Sequence, residues 1–346
     1  MEHNIYQIIW FILWGVLWAV YFMLDGFDLG LGTLMPFVTK TDLERRLVYN
    51  AMGPVWDGNE VWLITAGGAT FAAFPKTYAV MFSGFYSALL LILFALIVRG
   101  VSFEFRNKED SPLWRATWDF CLFIGSFIPA LLFGVAFANI FKGIPIDQNG
   151  VFHGNIFTLL NPYGLLGGIM FVTMFLVHGA LWLAAKTEGD LSRRAGEIAR
   201  KIWAAEFLAV VAFFVTSGFV TDLWLNYLKA PILLIVPFLA LLGLLLIMAF
   251  AAKASWWKAW FASCLTVLSS VAFGIIGLFP RLLPSNIDPA ATLTIYNSSS
   301  SLLTLKVMTV VALIFVPLVI AYQTWAYKLF SFKITPAIIA SEEEAY

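Results

Sequence analysis

Two pairs of carboxylic acids sit inside apolar runs, where charge is expensive. Asp25 and Asp28 belong to MLDGFDLGLG, and Asp57 and Glu60 belong to GPVWDGNEVWLITAGGATFAAFP at 53–75. The members of each pair are three residues apart, which places both side chains on one helix face. An ionised aspartate at the centre of a membrane helix costs roughly 2.5–3.5 kcal/mol on insertion scales, and less toward the interface, unless it is protonated, paired or wetted. Acids in such places are functional candidates by default, and proton exchange is the chemistry they offer. Burial and neighbouring acids favour the protonated form of a carboxyl, whereas a nearby arginine favours the charged form. Arg99 and Glu104 close a later apolar run, and Arg115 and Asp119 open the next. The plainer reading is that the acids pair with Arg99 and Arg115 and fix helix packing, with Asp57 a first-turn acid favoured by the helix dipole.

The elements that must hold these groups are membrane helices. Of 346 residues, 61% are hydrophobic and 12% charged, against about 25% charged in a soluble domain. Stretches of roughly 20 apolar residues are long enough to span a bilayer, and nine occur: 5–36, 53–75, 77–102, 113–141, 162–185, 202–228, 230–252, 256–280 and 302–330. The opening MEHN lacks a basic n-region, so the first run reads as a retained helix. The pattern predicts an all-α polytopic membrane protein. A four-helix bundle fills 1–145, a second bundle plus one peripheral helix fills 146–335, and a short acidic tail follows at 336–346.

Orientation follows from the basic residues, which cytoplasmic loops hold in excess. Only Lys76, Lys142, Lys229, Arg281 and Lys306 of the 21 fall on one side of this nine-helix arrangement. The N-terminus is therefore expected outside and the C-terminus in the cytoplasm. In that frame Asp25 and Asp28 lie near the cytoplasmic end of the first helix, and Asp57 and Glu60 in the first turns of the second. All eight charges then form one cluster in the cytoplasmic third of the first bundle.

His178, in FLVHGALWL, is the one histidine inside an expected helix, with His3 and His153 on the outer side. It is the sole candidate for haem ligation in the chain, although a lone helix histidine is more often a packed, hydrogen-bonded residue. Glu206 is a candidate partner for it. Cys121 and Cys264 lie in apolar runs without a metal-type spacing and read as buried thiols. No metal site and no nucleic-acid partner are expected.

The chain resembles subunit II of the cytochrome bd quinol oxidases along nearly its whole length. The resemblance rests on DGFDLGLG at 25–32, DLERR at 42–46, WDGNEVWLITAGGATFAAFP at 56–75, FSGFYSALLL at 82–91 and WDFCLFIGSFIPALLFGVAFANIFKGIP at 118–145. It continues through LLNPYGLLGG at 159–168, FPRLLPS at 279–285 and SSSSLLTLKVMT at 298–309. It implies a subunit of an electrogenic terminal oxidase of the bacterial inner membrane that oxidises quinol and reduces dioxygen to water. Haems b and d are then expected in the larger subunit I, with a small single-helix subunit as a further partner. This chain would stabilise the haem-bearing partner and contribute a proton route from the cytoplasm. Asp57 matches the family's proton-uptake acid, Trp56 a position near a bound quinone, and Asp25, Asp28 and Arg99 the acids and arginine around it. Glu60 stands where the family pattern has Gln, and the link between the sixth and seventh helices is short. Two rival readings are a purely structural assembly subunit and a proton-coupled secondary transporter. The latter needs broken midplane helices and inverted repeats, neither of which is evident.

Overall fold

The computed structural model describes residues 2–341. Its helices are α1 (Glu2–Val38), α2 (Asp42–Met52), α3 (Trp56–Ala73), α4 (Pro75–Gly84), α5 (Tyr86–Phe105), α6 (Pro112–Lys142), α7 (Ile156–Leu159), α8 (Pro162–Lys186), α9 (Gly189–Val220), α10 (Leu223–Lys229), α11 (Ile235–Ala251) and α12 (Trp256–Leu278). A two-stranded antiparallel ribbon, β1 (Arg281–Leu283) with β2 (Leu293–Thr294), leads to α13 (Ile295–Ser298), α14 (Leu302–Leu329) and α15 (Pro336–Ser341). Residues 342–346, five of the eleven in the expected acidic tail, lie outside the described residues.

Among the described residues eight helices are long and apolar enough to cross a membrane. The stretch expected as the second span is α3, a helix of 18 residues, but its polar WDGNE opening keeps it out of that group. The expected third span, 77–102, is two helices: α4 stops at Gly84 and α5 begins at Tyr86, with Phe85 out of helical register between them. Pro75 ends α3, because the residue before a proline is pushed out of the α region, and Phe74 sits at φ −134°, ψ 63°. The expected sixth span is also longer and broken, since α9 starts at Gly189 and α10 follows Val220 separately. Hydropathy marks where apolar residues run and is blind to such breaks.

The core is built where α1, α6 and α8 cross. Phe22, Phe133, Phe137, Phe171 and Phe175 meet there, Phe22 lying 4.9 Å from Phe171 and 5.1 Å from Phe137 between ring centroids. Small residues let membrane helices approach closely. A Cβ on Gly30 of α1 would fall 1.7 Å from the Phe175 carbonyl oxygen, and one on Gly179 of α8 would fall 2.5 Å from the Leu31 nitrogen. Because α8 packs on α1 and α6 as well as on α9, the chain's two halves share one interior.

α14 is the exception, a helix whose described side chains are exposed or half-buried apart from Leu305. Beyond it the chain is tied down by buried Lys186, whose ammonium donates to the carbonyls of Phe330 and Phe332, while Ile334 N–H donates to the Lys186 carbonyl at 2.7 Å.

Candidate functional site

α1, α3 and α5 converge on Arg99. Its Nη2 donates to Asp25 Oδ1 at 2.6 Å, and its Nη1 donates to Asp25 Oδ2 at 3.0 Å and to Glu60 Oε1 at 3.2 Å. Arg99 and Asp25 are fully buried, and Glu60 keeps 21% of its side chain exposed. The two-pronged Arg–carboxylate arrangement is the strong form of the contact, and in low dielectric it is what makes two buried charges tolerable. α6 closes over the pair at Gly125, where a Cβ would fall 2.8 Å from the Arg99 Cβ.

Asp28, one turn along α1, is bound differently. Its Oδ2 accepts from Asn59 Nδ2 at 2.7 Å, and its Oδ1 is buried without a hydrogen-bond partner among the described residues. Asn59 is itself held by α14, Tyr327 donating to its Oδ1 at 2.8 Å and Gln323 Nε2 at 3.3 Å. Asp57 is exposed. It lines a cavity of about 490 Å³ together with Trp56, Glu104, Tyr322, Gln323 and Tyr327.

The expected single cluster of eight charges is therefore two tiers. Seven residues beyond Arg99, about 10 Å along the helix, buried Arg106 donates from Nε to Asp119 Oδ1 at 2.7 Å and from Nη2 to Asp42 Oδ1 at 2.6 Å. Arg45 adds a 3.0 Å pair to Asp119, and Arg115 pairs with Asp110 and Asp42 rather than with the buried acids. Asp119 thus belongs to the outer tier and Glu104 to the cavity wall, so of the charges expected to balance the acids only Arg99 contacts them. Asp25 lies thirteen residues, about 20 Å, before the end of α1 at Val38. In the outer tier burial alone would raise the Asp42 carboxyl, but the Arg106 hydrogen bond and charge bring it below its usual range. Glu44 behaves likewise, its burial outweighed by the Arg194 hydrogen bond at 2.5 Å.

One face of Trp56 is occupied, and the expected pairing of His178 with Glu206 is corrected. Trp56 stacks on Phe103, with centroids 4.8 Å apart and planes 4° from parallel, so one of its faces is already taken. His178 does not meet Glu206: its Nδ1 lies 2.6 Å from Ser263 Oγ and its Nε2 2.9 Å from the Met23 carbonyl. Both nitrogens are engaged and the ring stacks on Trp260 at 5.3 Å, an arrangement that does not suit an axial haem ligand. Both Glu206 carboxyl oxygens are buried without partners among the described residues.

The comparisons with known proteins decide the family. The family model described as cytochrome bd terminal oxidase subunit II matches residues 6–330. This chain belongs to that family. It is 39% identical over 327 residues to the cytochrome bd ubiquinol oxidase subunit 2 of Bacillus subtilis, covering 94% of this chain and 96% of that protein. It is 38% identical over 364 residues to the cytochrome bd-I ubiquinol oxidase subunit 2 of Escherichia coli K12, covering 95% and 96%. The fold matches the solved structure of bd oxidase from Geobacillus thermodenitrificans with a TM-score of 0.76 at 15% identity, over 94% of this chain and 98% of that one. This subunit II is accordingly a multi-pass membrane protein and part of an oxidoreductase complex with a subunit I.

Sequence reasoning missed the bd subunit's Arg106, Asn59, Gln323 and Tyr327. Arg106 had a usable signal, being seven residues from Arg99 and so on the same helix face. Gln323 and Tyr327 had none, because more than 260 residues separate them from Asn59.

Proposed function

We propose that this chain is subunit II of a membrane-bound quinol:oxygen oxidoreductase of the bacterial inner membrane. It supports a subunit I carrying haems b and d, and it takes up protons from the cytoplasm for reduction of dioxygen to water. In this reading α3 is the ninth span, the N-terminus lies outside, and 1–145 and 146–335 are the two helix groups. The observation that carries it is the graded burial of four acids. Asp57 stands at a cavity wall, Glu60 is one turn deeper and part-exposed, and Asp25 and Asp28 are fully buried.

Reduction of dioxygen takes up one proton per electron, so the partner needs supply through low-dielectric protein. Asp57 receives the proton from water in the cavity. Glu60 follows on the same helix face, and Arg99 prevents negative charge from accumulating while Asp28 offers an oxygen free to exchange. A quinone ring near Trp56 meets its edge or the face away from Phe103. Replacing Asp57 with Asn removes the first acceptor. Oxygen consumption then falls by up to about a hundredfold, the low end for a lost proton-transfer group, while assembly and the haem spectrum survive. Unchanged turnover would refute the route.

The competing reading, a purely structural subunit, is favoured by the two-pronged, fully buried Arg99–Asp25 pair, and haem loss in the same variant would support it. A transporter is not favoured, because the α3–α4 break lies at the end of the bundle near α13, where Ser300 N–H donates to the Ala73 carbonyl at 2.8 Å, rather than at the midplane.

A further inference from the structure

Hydrogen bonds around Asp28 have a direction that can be read from groups able to act in only one sense. The Trp62 indole N–H can only donate, and it lies 2.7 Å from Gln323 Oε1. That fixes the Gln323 amide with Nε2 toward Asn59 Oδ1 and the Gly58 carbonyl, both at 3.3 Å. Asn59 Nδ2 reaches the Leu24 carbonyl at 3.3 Å as well as Asp28 Oδ2 at 2.7 Å. A carbonyl can only accept, so the Asn59 amide cannot be turned over. Its Oδ1 faces Tyr327, whose hydroxyl must therefore donate.

We infer that Gln323 and Tyr327 of α14 act through Asn59 as positioning residues, holding Asp28 Oδ2 as a fixed hydrogen-bond acceptor and leaving Oδ1 as the atom that takes and gives the proton. In a protonated carboxyl the carbonyl oxygen is the better acceptor, so the Asn59 N–H favours Oδ2 as the carbonyl and places the proton on Oδ1, the oxygen buried without a partner among the described residues. Asp25 cannot substitute, because both its oxygens accept from Arg99. The amide chain does not conduct, since an amide passes a proton only by giving up its own N–H. It orients Asp28 and closes the α14 side to exchange. The inference deepens the proton-route reading and rests on it for the claim that Asp28 exchanges a proton during turnover.

The test is infrared difference spectroscopy of the intact two-subunit complex, oxidised against reduced and across pH, with Asp28→Asn used to assign the C=O stretch of protonated Asp28. With the proton on Oδ1, the carbonyl oxygen is Oδ2, so losing its donor raises the stretching frequency. Asn59→Leu is expected to shift the band up. Tyr327→Phe and Gln323→Leu shift it in the same sense by less, and the two together approach Asn59→Leu. A band that stays put in Asn59→Leu overturns the inference, and the Tyr327→Phe/Gln323→Leu pair decides it if Asn59→Leu does not assemble. No band assignable to Asp28 at any pH also overturns it. The expected shifts with normal oxygen consumption in Asp28→Asn would remove Asp28 from the route while leaving the positioning in place.

Discussion

At the scale of single residues, Arg99 determines which acids are committed and which are free. Its guanidinium satisfies both oxygens of Asp25 and one of Glu60, so in the proposed route Asp25 would be the counter-charge and Asp28 the exchanging group. The Glu60 contact needs an acceptor oxygen, which a glutamine amide would also supply, as a weaker neutral partner. Removing Arg99 is another matter. Arg99→Leu leaves Asp25 buried and uncompensated, which costs about 3–5 kcal/mol, and lysine cannot reproduce the two-pronged contact. The thermal midpoint of haem release from the purified complex should fall in Arg99→Leu, and Asp25→Leu/Arg99→Leu should recover part of the loss because neither charge is then stranded. An unchanged midpoint in the single variant would contradict the geometry.

At the scale of elements, α2 is held both by ion pairs at its start and by a buried apolar face. Thr41 caps it by accepting from the Glu44 N–H at 3.2 Å, Asp42 meets Arg106, and Glu44 meets Arg194. Asp42 and Glu44 both titrate below their ordinary values, so their contribution is whole above about pH 4, where the unfolded-state carboxyls are already ionised, and drains away as the pH falls through the lower folded-state values. Protection of the α2 amides, relative to intrinsic exchange at each pH, should therefore fall below about pH 4, before that of α6 or α8. An α2 that stays protected as the acid groups protonate would mean that its buried Leu47, Val48 and Met52 hold it alone. The elements also show what a sequence can and cannot disclose. Eight apolar helices were legible because each is a long run of one character, and the Arg99 site was half legible because depth along a helix follows from orientation and rise per residue. The break at Phe85 was not, since no proline or charged residue marks it in FSGFYSALLL. Nor was the binding of Asn59 by Gln323 and Tyr327, which depends on how α14 lies against α3 and leaves no local pattern.

At the scale of the whole molecule, the two ends of the helix bundle differ in charge and in covering. One end carries α2, the Arg106 tier and the Lys186 anchor; the other carries the β1–β2 ribbon and the loop in which His153 meets Asp147 at 2.9 Å. Lys and Arg are concentrated at the α2 end, and an excess of basic residues marks the cytoplasmic side, so protons entering beside Asp57 would come from the cytoplasm. That sense of entry makes the site energetically useful, because uptake from the outer side would conserve nothing. Single cysteines test it. A cysteine at Asn149, in the exposed loop at the ribbon end, should react with a membrane-impermeant thiol reagent in whole spheroplasts, and one at Lys108, exposed between α5 and α6, should react only in inverted vesicles. The native thiols give little background, as Cys264 is buried and Cys121 half-buried within α6. Labelling of Lys108→Cys in spheroplasts would invert the topology and turn Asp57 into an outward-facing acid, and proton uptake there would then conserve nothing.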